Sequence, residues 1–162
     1  MRIIVCSRLD LEMKESQTPE FFDDDKFFIT INSSAETKWS FEYNDPIRVL
    51  RLTFDDITDT DNISAEDRMK LKFFNKKHAR KIKEFVENLN PKKTLYINCG
   101  SENSRSGAVG EVVNEYLNKF LINNVNDYEF FWKVNKKIQS NQFIKHILMN
   151  EFFGEYSSNE SQ

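Results

Sequence analysis

A thiol and a guanidinium separated by five residues are the most informative feature of this chain. Cys99 and Arg105 bound the run Cys-Gly-Ser-Glu-Asn-Ser-Arg, and Ser106 follows it. Residues 94–98 are predicted to form a buried strand before this run, and residues 106–121 a helix after it. A short loop between a strand and a helix N-terminus gathers backbone N–H groups into an anion-binding cradle. A cysteine in such a loop is stabilised as the thiolate, and an arginine can bind a phosphate through two parallel hydrogen bonds. The two residues together predict a nucleophile directed at phosphorus.

The elements that must position this loop alternate along the chain. Strands are predicted at residues 2–6, 26–31, 47–54 and 94–98. Helices are predicted at residues 64–90, 106–121, about 127–138 and 141–153, the first beginning at a capping pair of Ser64 and Asp67 and ending at Asn90-Pro91. This alternation predicts an α/β fold with a central, mostly parallel sheet flanked by helices. In such sheets ligands bind beyond the carboxyl ends of the strands, where the Cys99 loop would lie.

Length and composition favour one folded domain, and they exclude several classes of function. The chain has 162 residues, of which 39% are hydrophobic and fifteen are Phe, so we expect a single domain over residues 1–153 and a disordered tail over 154–162. The net charge of −3 predicts neither nucleic-acid nor membrane binding. Two cysteines and a short apolar N-terminal run predict no disulfide scaffold and no signal peptide, so a reducing, cytoplasmic location is expected.

In these features the chain resembles the cysteine-dependent protein tyrosine phosphatase superfamily, and within it the small dual-specificity-like members of prokaryotes and phages. The matching features follow one another in order: the strands IIVCS and FFITI, the run Leu50–Asp56, a long helix with Ala79 and Phe85-Val86, the Cys-x5-Arg loop, and Ser140-Asn141. The likeness covers most of the chain, and its specific part is the loop. It implies a protein tyrosine or dual-specificity phosphatase that hydrolyses phosphate monoesters through a phosphocysteine intermediate. Its substrate would be a phosphorylated protein or another phosphomonoester.

The resemblance also implies a role for each residue of the loop. Cys99 would be the nucleophile, Arg105 would bind the phosphoryl oxygens and stabilise the transition state, and the Ser106 hydroxyl would assist departure of the thiolate. The general acid would be an aspartate after the third strand, with Asp56 the first choice and Asp55 the alternative. No metal or cofactor is implied. The backbone amides that would cradle the phosphate belong to Gly100, Ser101, Glu102, Asn103, Ser104 and Arg105.

Two positions depart from the family's usual pattern. Asn98 stands where His commonly precedes the cysteine, and Glu102 stands in the middle of the loop where Gly is usual. A carboxylate about 6 Å from a dianionic phosphate, with water-like screening, costs about 1–3 kcal/mol, which weakens binding roughly ten- to a hundredfold. An outward-pointing Glu102 would instead favour substrates with a basic flank.

These departures leave two alternatives to an active phosphatase. One is a pseudophosphatase that binds phosphorylated partners without turnover, although retention of Cys99, Arg105 and Ser106 argues against it. The other is a related thiol enzyme, a sulfurtransferase or an arsenate reductase, which has less use for an acidic loop after the third strand.

The remaining reactive or aromatic residues are interpreted as structural. The acidic segment 55–62 lacks the glycine and terminal glutamate of a calcium loop, so it is expected to be a solvated loop. His78 and His146 are expected in packing or at the surface. Cys6 is expected to be a buried thiol, and a regulatory disulfide with Cys99 is the alternative. Trp39 and the cluster 130–132 are expected in the core rather than in a substrate pocket.

Overall fold

Four parallel strands form the centre of the molecule in a computed structural model that describes residues 1–100, 103–120 and 128–154. The strands are β1 (Arg2–Ser7), β2 (Lys26–Asn32), β3 (Val49–Thr53) and β4 (Thr94–Cys99), and their order in the sheet is β1-β4-β2-β3. All three pairings are parallel. The predicted α/β class is therefore confirmed, and the sheet in the described part of the chain is parallel throughout rather than mostly parallel.

The helices lie on both faces of this sheet within one compact domain. They are α1 (Arg8–Gln17), α2 (Ala65–Lys70), α3 (Lys76–Glu87), α4 (Ser104–Phe120), α5 (Tyr128–Val134) and α6 (Gln142–Phe153), with a 3-10 turn at Pro19–Phe22. In the described part of the chain, no helix has the length and apolar character needed to cross a membrane.

The two faces of the sheet carry two hydrophobic cores. The larger core joins β-strand residues such as Ile29 and Ile97 to the inner sides of α3, α4, α5 and α6. The smaller core, rich in phenylalanine, lies on the other face under α1, the 3-10 turn and the segment 33–48. Because side chains alternate along a strand, neighbouring residues of β4 belong to different cores. This alternation places the side chains of Asn98 and Cys99 on opposite faces of the sheet.

The prediction of one helix over 64–90 is wrong, because the chain forms two helices there. Ser64 caps α2 as expected, its hydroxyl accepting from the backbone N–H of Asp67 at 3.1 Å. The helix ends at Lys70 because the N–H of Lys72 donates to the carboxylate of Asp55 at 2.7 Å, and the carbonyl of Lys72 accepts from the N–H of Asp55 at 2.8 Å. A new cap at Asn75 then begins α3. The N–H of Leu71 still makes a helical bond to the carbonyl of Asp67 at 3.1 Å, and at Lys72 the tertiary contact with Asp55 takes the place of helical hydrogen bonding.

Other elements also differ from the sequence prediction, most of them by one or two residues at an end. Helix α1 has no counterpart among the predicted helices, although Ser7 and Asp10 form a reciprocal capping box whose spacing is visible in the sequence. Strand β3 begins at Val49 rather than at residue 47. Helix α5 ends at Val134, where the side chain of Asn135 turns to β1, accepting from the N–H of Val5 and donating to the carbonyl of Ile3, both at 2.9 Å. The predicted tail lies, apart from Gly154, outside the described residues, as do Ser101, Glu102 and residues 121–127.

Candidate active site

The candidate loop connects β4 to α4 at the carboxyl edge of the sheet, as the sequence predicted. Strand β4 ends at Cys99, and α4 begins at Ser104. Asn103 has a φ of 54°, the left-handed conformation, and its carbonyl accepts the first helical hydrogen bond from Gly107 at 2.9 Å. Asparagine tolerates this conformation better than most residues. The turn at Asn103 therefore brings the N-terminus of α4, whose first N–H groups have no partner within the helix, next to the end of β4.

The sulfur of Cys99 faces this helix N-terminus. Cys99 is only 3% exposed. Its Sγ lies 3.1 Å from the hydroxyl Oγ of Ser106 and accepts from the backbone N–H of Ser106 at 3.5 Å. Both contacts would stabilise negative charge on the sulfur. The structure thus brings the predicted nucleophile and the predicted hydroxyl partner together.

The guanidinium of Arg105 folds back over the start of the loop. Its Nη1 donates to the carbonyl of Phe54 at 2.9 Å. A Cβ atom on Gly100 would lie 3.3 Å from Nη2, so glycine gives the guanidinium room at this point. The buried Nε has no hydrogen-bond partner among the described residues. A buried charged donor of this kind is costly unless it is paired, and a phosphate oxygen would pair it.

Asp55 and Asp56, the two candidates for the general acid, occupy different environments. The carboxylate of Asp55 is buried, and both its oxygens accept backbone hydrogen bonds, Oδ1 from Ser34 at 3.0 Å and Oδ2 from Lys72 at 2.7 Å. These bonds join three loops. Asp55 therefore stabilises the conformation of the loop that follows β3.

The carboxylate of Asp56 points instead to the N-terminus of α4. Asp56 is exposed, and its Oδ1 accepts from the hydroxyl of Ser104 at 3.1 Å and from Nδ2 of Asn141 at 2.7 Å. Neither of these bonds uses Oδ2. Of the two predicted aspartates, Asp56 is the one that contacts the candidate loop.

Asn98 lies behind the loop, on the opposite face of the sheet from the side chain of Cys99. Its Nδ2 donates to the hydroxyl of Ser40 at 2.8 Å, and that hydroxyl lies 3.0 Å from the hydroxyl of Thr30. All three residues are buried. No local sequence pattern indicates that these three polar side chains meet, because Ser40 comes from the irregular segment between β2 and β3.

The two cysteines lie on opposite faces of the sheet. Cys6 packs against the smaller core, whereas Cys99 belongs to the larger one. Both are free thiols. Burial, with smaller contributions from Asp10 and Cys99, raises the pKa of Cys6 to about 12, so this thiol stays protonated near neutral pH. The arrangement does not favour the alternative of a regulatory disulfide, which would need both sulfurs on one face.

The other residues considered in the sequence do not join the site. His78 packs against the rings of Phe54 and Phe74, and His146 is exposed on α6. Phe131 is in the core, whereas Trp132 is 40% exposed. Trp39 lies under the guanidinium of Arg51, 5.2 Å from it. Within the described ranges, no three side chains of the kinds that bind metals form a cluster.

Comparisons with known proteins identify no relative: no family model matches the sequence, no curated protein matches it, and no solved structure matches its fold.

Proposed function

We propose that this protein is a cysteine-dependent protein phosphatase of the tyrosine or dual-specificity type, acting on phosphate monoesters through a phosphocysteine intermediate. The observation that carries the proposal is the contact between Asp56 and Ser104. These residues are 48 positions apart, and their side chains meet at 3.1 Å beside the Cys99 loop. A thiol, a buried guanidinium and a carboxylate at one helix N-terminus are the groups that phosphoryl transfer to a thiolate requires.

In the first half of the reaction the Cys99 thiolate attacks phosphorus. The S–P bond forms, the bond from phosphorus to the leaving oxygen breaks, and Asp56 gives that oxygen its proton. The Nε of Arg105, which has no partner among the described residues, and the N–H groups at the start of α4 bind the equatorial oxygens. The negative charge is spread over these oxygens in the transition state.

In the second half a water molecule attacks the phosphocysteine. The Asp56 carboxylate takes a proton from the water, the S–P bond breaks, and inorganic phosphate and the thiolate are released. The hydroxyl of Ser106, 3.1 Å from Sγ, stabilises the departing thiolate. Every group in this scheme comes from the chain itself, and a reducing compartment such as the cytoplasm would keep Cys99 active.

The test is hydrolysis of a small aryl phosphate in reducing buffer, by wild type and by Cys99→Ser, with vanadate as an inhibitor. We expect turnover by the wild type that vanadate blocks and that Cys99→Ser loses. If vanadate binds without any turnover, the protein is a pseudophosphatase, the alternative that Asn98 and Glu102 favour. If neither phosphate nor vanadate binds, the loop has no phosphate function and the proposal is wrong.

A second variant separates phosphatase chemistry from sulfur transfer. Replacement of Asp56 by Asn removes the proton needed by a leaving alkoxide or phenoxide, so a phosphatase slows sharply. Transfer of sulfur to Cys99 needs no such proton and would continue nearly unchanged.

A further inference from the structure

The side chain of Asn141 is buried at the point where three segments meet. It is 2% exposed, and it lies just before α6, next to the loop after β3 and the start of α4. Its backbone N–H donates to the carbonyl of Ser104 at 3.1 Å. The residue therefore touches the candidate phosphate loop through its main chain and the general-acid loop through its side chain.

Every hydrogen-bonding group of the Asn141 amide has a partner. Oδ1 accepts from the N–H of Ile144 at 3.0 Å and so caps α6. Nδ2 donates to Oδ1 of Asp56 at 2.7 Å and to the carbonyl of Ile57 at 3.0 Å. The reverse orientation of the amide would place its oxygen against a carboxylate and a carbonyl, so the chemistry of the partners determines which atom is which.

Capping α6 does not require an asparagine. Serine and aspartate cap helices about equally well, because a cap needs only an oxygen acceptor. The two N–H donors of the amide are what distinguish asparagine, and both are directed to the loop that carries Asp56. The amide therefore caps α6 and also binds the loop that carries Asp56.

We infer that Asn141 is a positioning residue that holds the Asp56 carboxylate in the orientation needed to protonate the leaving group, an inference that rests on the phosphatase function proposed above. Asn141 and Ser104 both bind Oδ1. These bonds restrain the carboxylate through one oxygen, and among the described residues Oδ2 has no hydrogen-bond partner, so it can face the leaving oxygen. General-acid catalysis depends on such alignment, since the proton must lie within hydrogen-bond reach of the oxygen that leaves.

The experiment compares two substrates that differ only in the leaving group, phenyl phosphate and nitrophenyl phosphate. A phenolate needs a proton as it departs, whereas a nitrophenolate departs with little help. In Asn141→Ser the α6 cap is kept and the amide hydrogen bonds to Asp56 and Ile57 are lost, while the hydrogen bond from Ser104 to Asp56 remains. We expect kcat/KM on phenyl phosphate to fall roughly tenfold, part of the hundred- to ten-thousandfold that acid catalysis supplies, and kcat/KM on nitrophenyl phosphate to change much less. This parameter covers the steps up to departure of the leaving group and leaves out the hydrolysis of the phosphocysteine, which both substrates share.

Two further variants make the test specific. Asn141→Asp also keeps a cap, but it replaces the donor by a carboxylate next to Asp56, and the same selective loss on phenyl phosphate is expected. Ser140→Ala is the matched control, since it removes only the hydrogen bond from the Ser140 hydroxyl to Glu111 on the same segment. It should leave the ratio of the two rates at the wild-type value.

Equal losses on both substrates, or no loss on either, would overturn the inference and leave Asn141 a structural residue. Failure of the proposed function is recognised separately, because the wild type would then hydrolyse neither substrate. The inference would fall with it.

Discussion

Asparagine substitutions at Asp55 and Asp56 should affect different properties, stability at the first and reaction rate at the second, although the two residues are adjacent and chemically identical. The reason is that Asp55 uses both oxygens to hold backbone groups, whereas Asp56 is exposed and bonded to side chains at the candidate loop. We expect Asp55→Asn to destabilise the fold and Asp56→Asn to slow the reaction.

The cost at Asp55 follows from its two hydrogen bonds at 3.0 and 2.7 Å. An asparagine offers one oxygen, so its NH₂ group must face either the N–H of Ser34 or that of Lys72. One bond to a charged acceptor is lost and one N–H loses its partner, which costs about 2–4 kcal/mol in the free energy of unfolding. For a chain of this size the melting temperature should fall by roughly 5–15 °C.

The effect at Asp56 should appear in the rate instead. An asparagine there can still accept from Ser104 and Asn141, and the position is exposed, so the free energy of unfolding should change by less than about 1 kcal/mol. Loss of the general acid should lower kcat on phenyl phosphate by about a hundred- to ten-thousandfold.

The assay is thermal unfolding followed by circular dichroism, together with steady-state kinetics on phenyl phosphate, for both variants and for Asp61→Asn. Asp61 is an exposed residue of the same acidic loop, and its variant should match the wild type in both measurements. If Asp55→Asn loses turnover at an unchanged melting temperature while Asp56→Asn stays active, the assignment of the two roles is wrong.

Two further predictions concern stability. His78 is half-buried, and its Nδ1 accepts from the N–H of Asn75 at 3.1 Å; burial is the main cause that lowers its pKa in the folded state. The contribution of neutral His78 to the free energy of unfolding is therefore complete above about pH 6.5, and it is lost as the pH falls from there through the folded-state pKa. Urea unfolding at pH 7.5 and at pH 5 should therefore show a smaller pH dependence for His78→Gln than for the wild type. In Gly110→Ala the new Cβ would lie 2.8 Å from Val5 and 3.1 Å from Phe131. The cost of overpacking, about 1–3 kcal/mol, should exceed the gain in helix propensity of about 1 kcal/mol, so the variant should be less stable in urea. Unchanged or increased stability would show that β1 and α5 move apart easily.

The sequence was sufficient for the features that depend on local pattern. The four strands could be placed because short apolar, β-branched runs are bounded by turns, and the alternation of strands and helices indicated the α/β class. The loop between Cys99 and Arg105 could be placed because it lies directly between a predicted strand and a predicted helix. Even α1 had a local signal, since Ser7 and Asp10 have the spacing of a capping box.

The tertiary structure decided whatever depends on partners distant in the chain. No local signal separates Asp55 from Asp56, because the difference comes from Lys72 on one side and Asn141 on the other. The contact between Asp55 and Lys72 also divides the predicted helix over 64–90, against its apolar spacing.

The face of the sheet on which each strand side chain lies was also decided by the tertiary structure. A one-residue step along a strand reverses the side on which a side chain lies, so the assignment of Cys6 and Cys99 to different cores depends on strand register. The sequence by itself thus determined which residues could carry the chemistry. Only the packing of segments far apart in the chain determined which of them meet, since those hydrogen bonds exist only when the whole domain has folded.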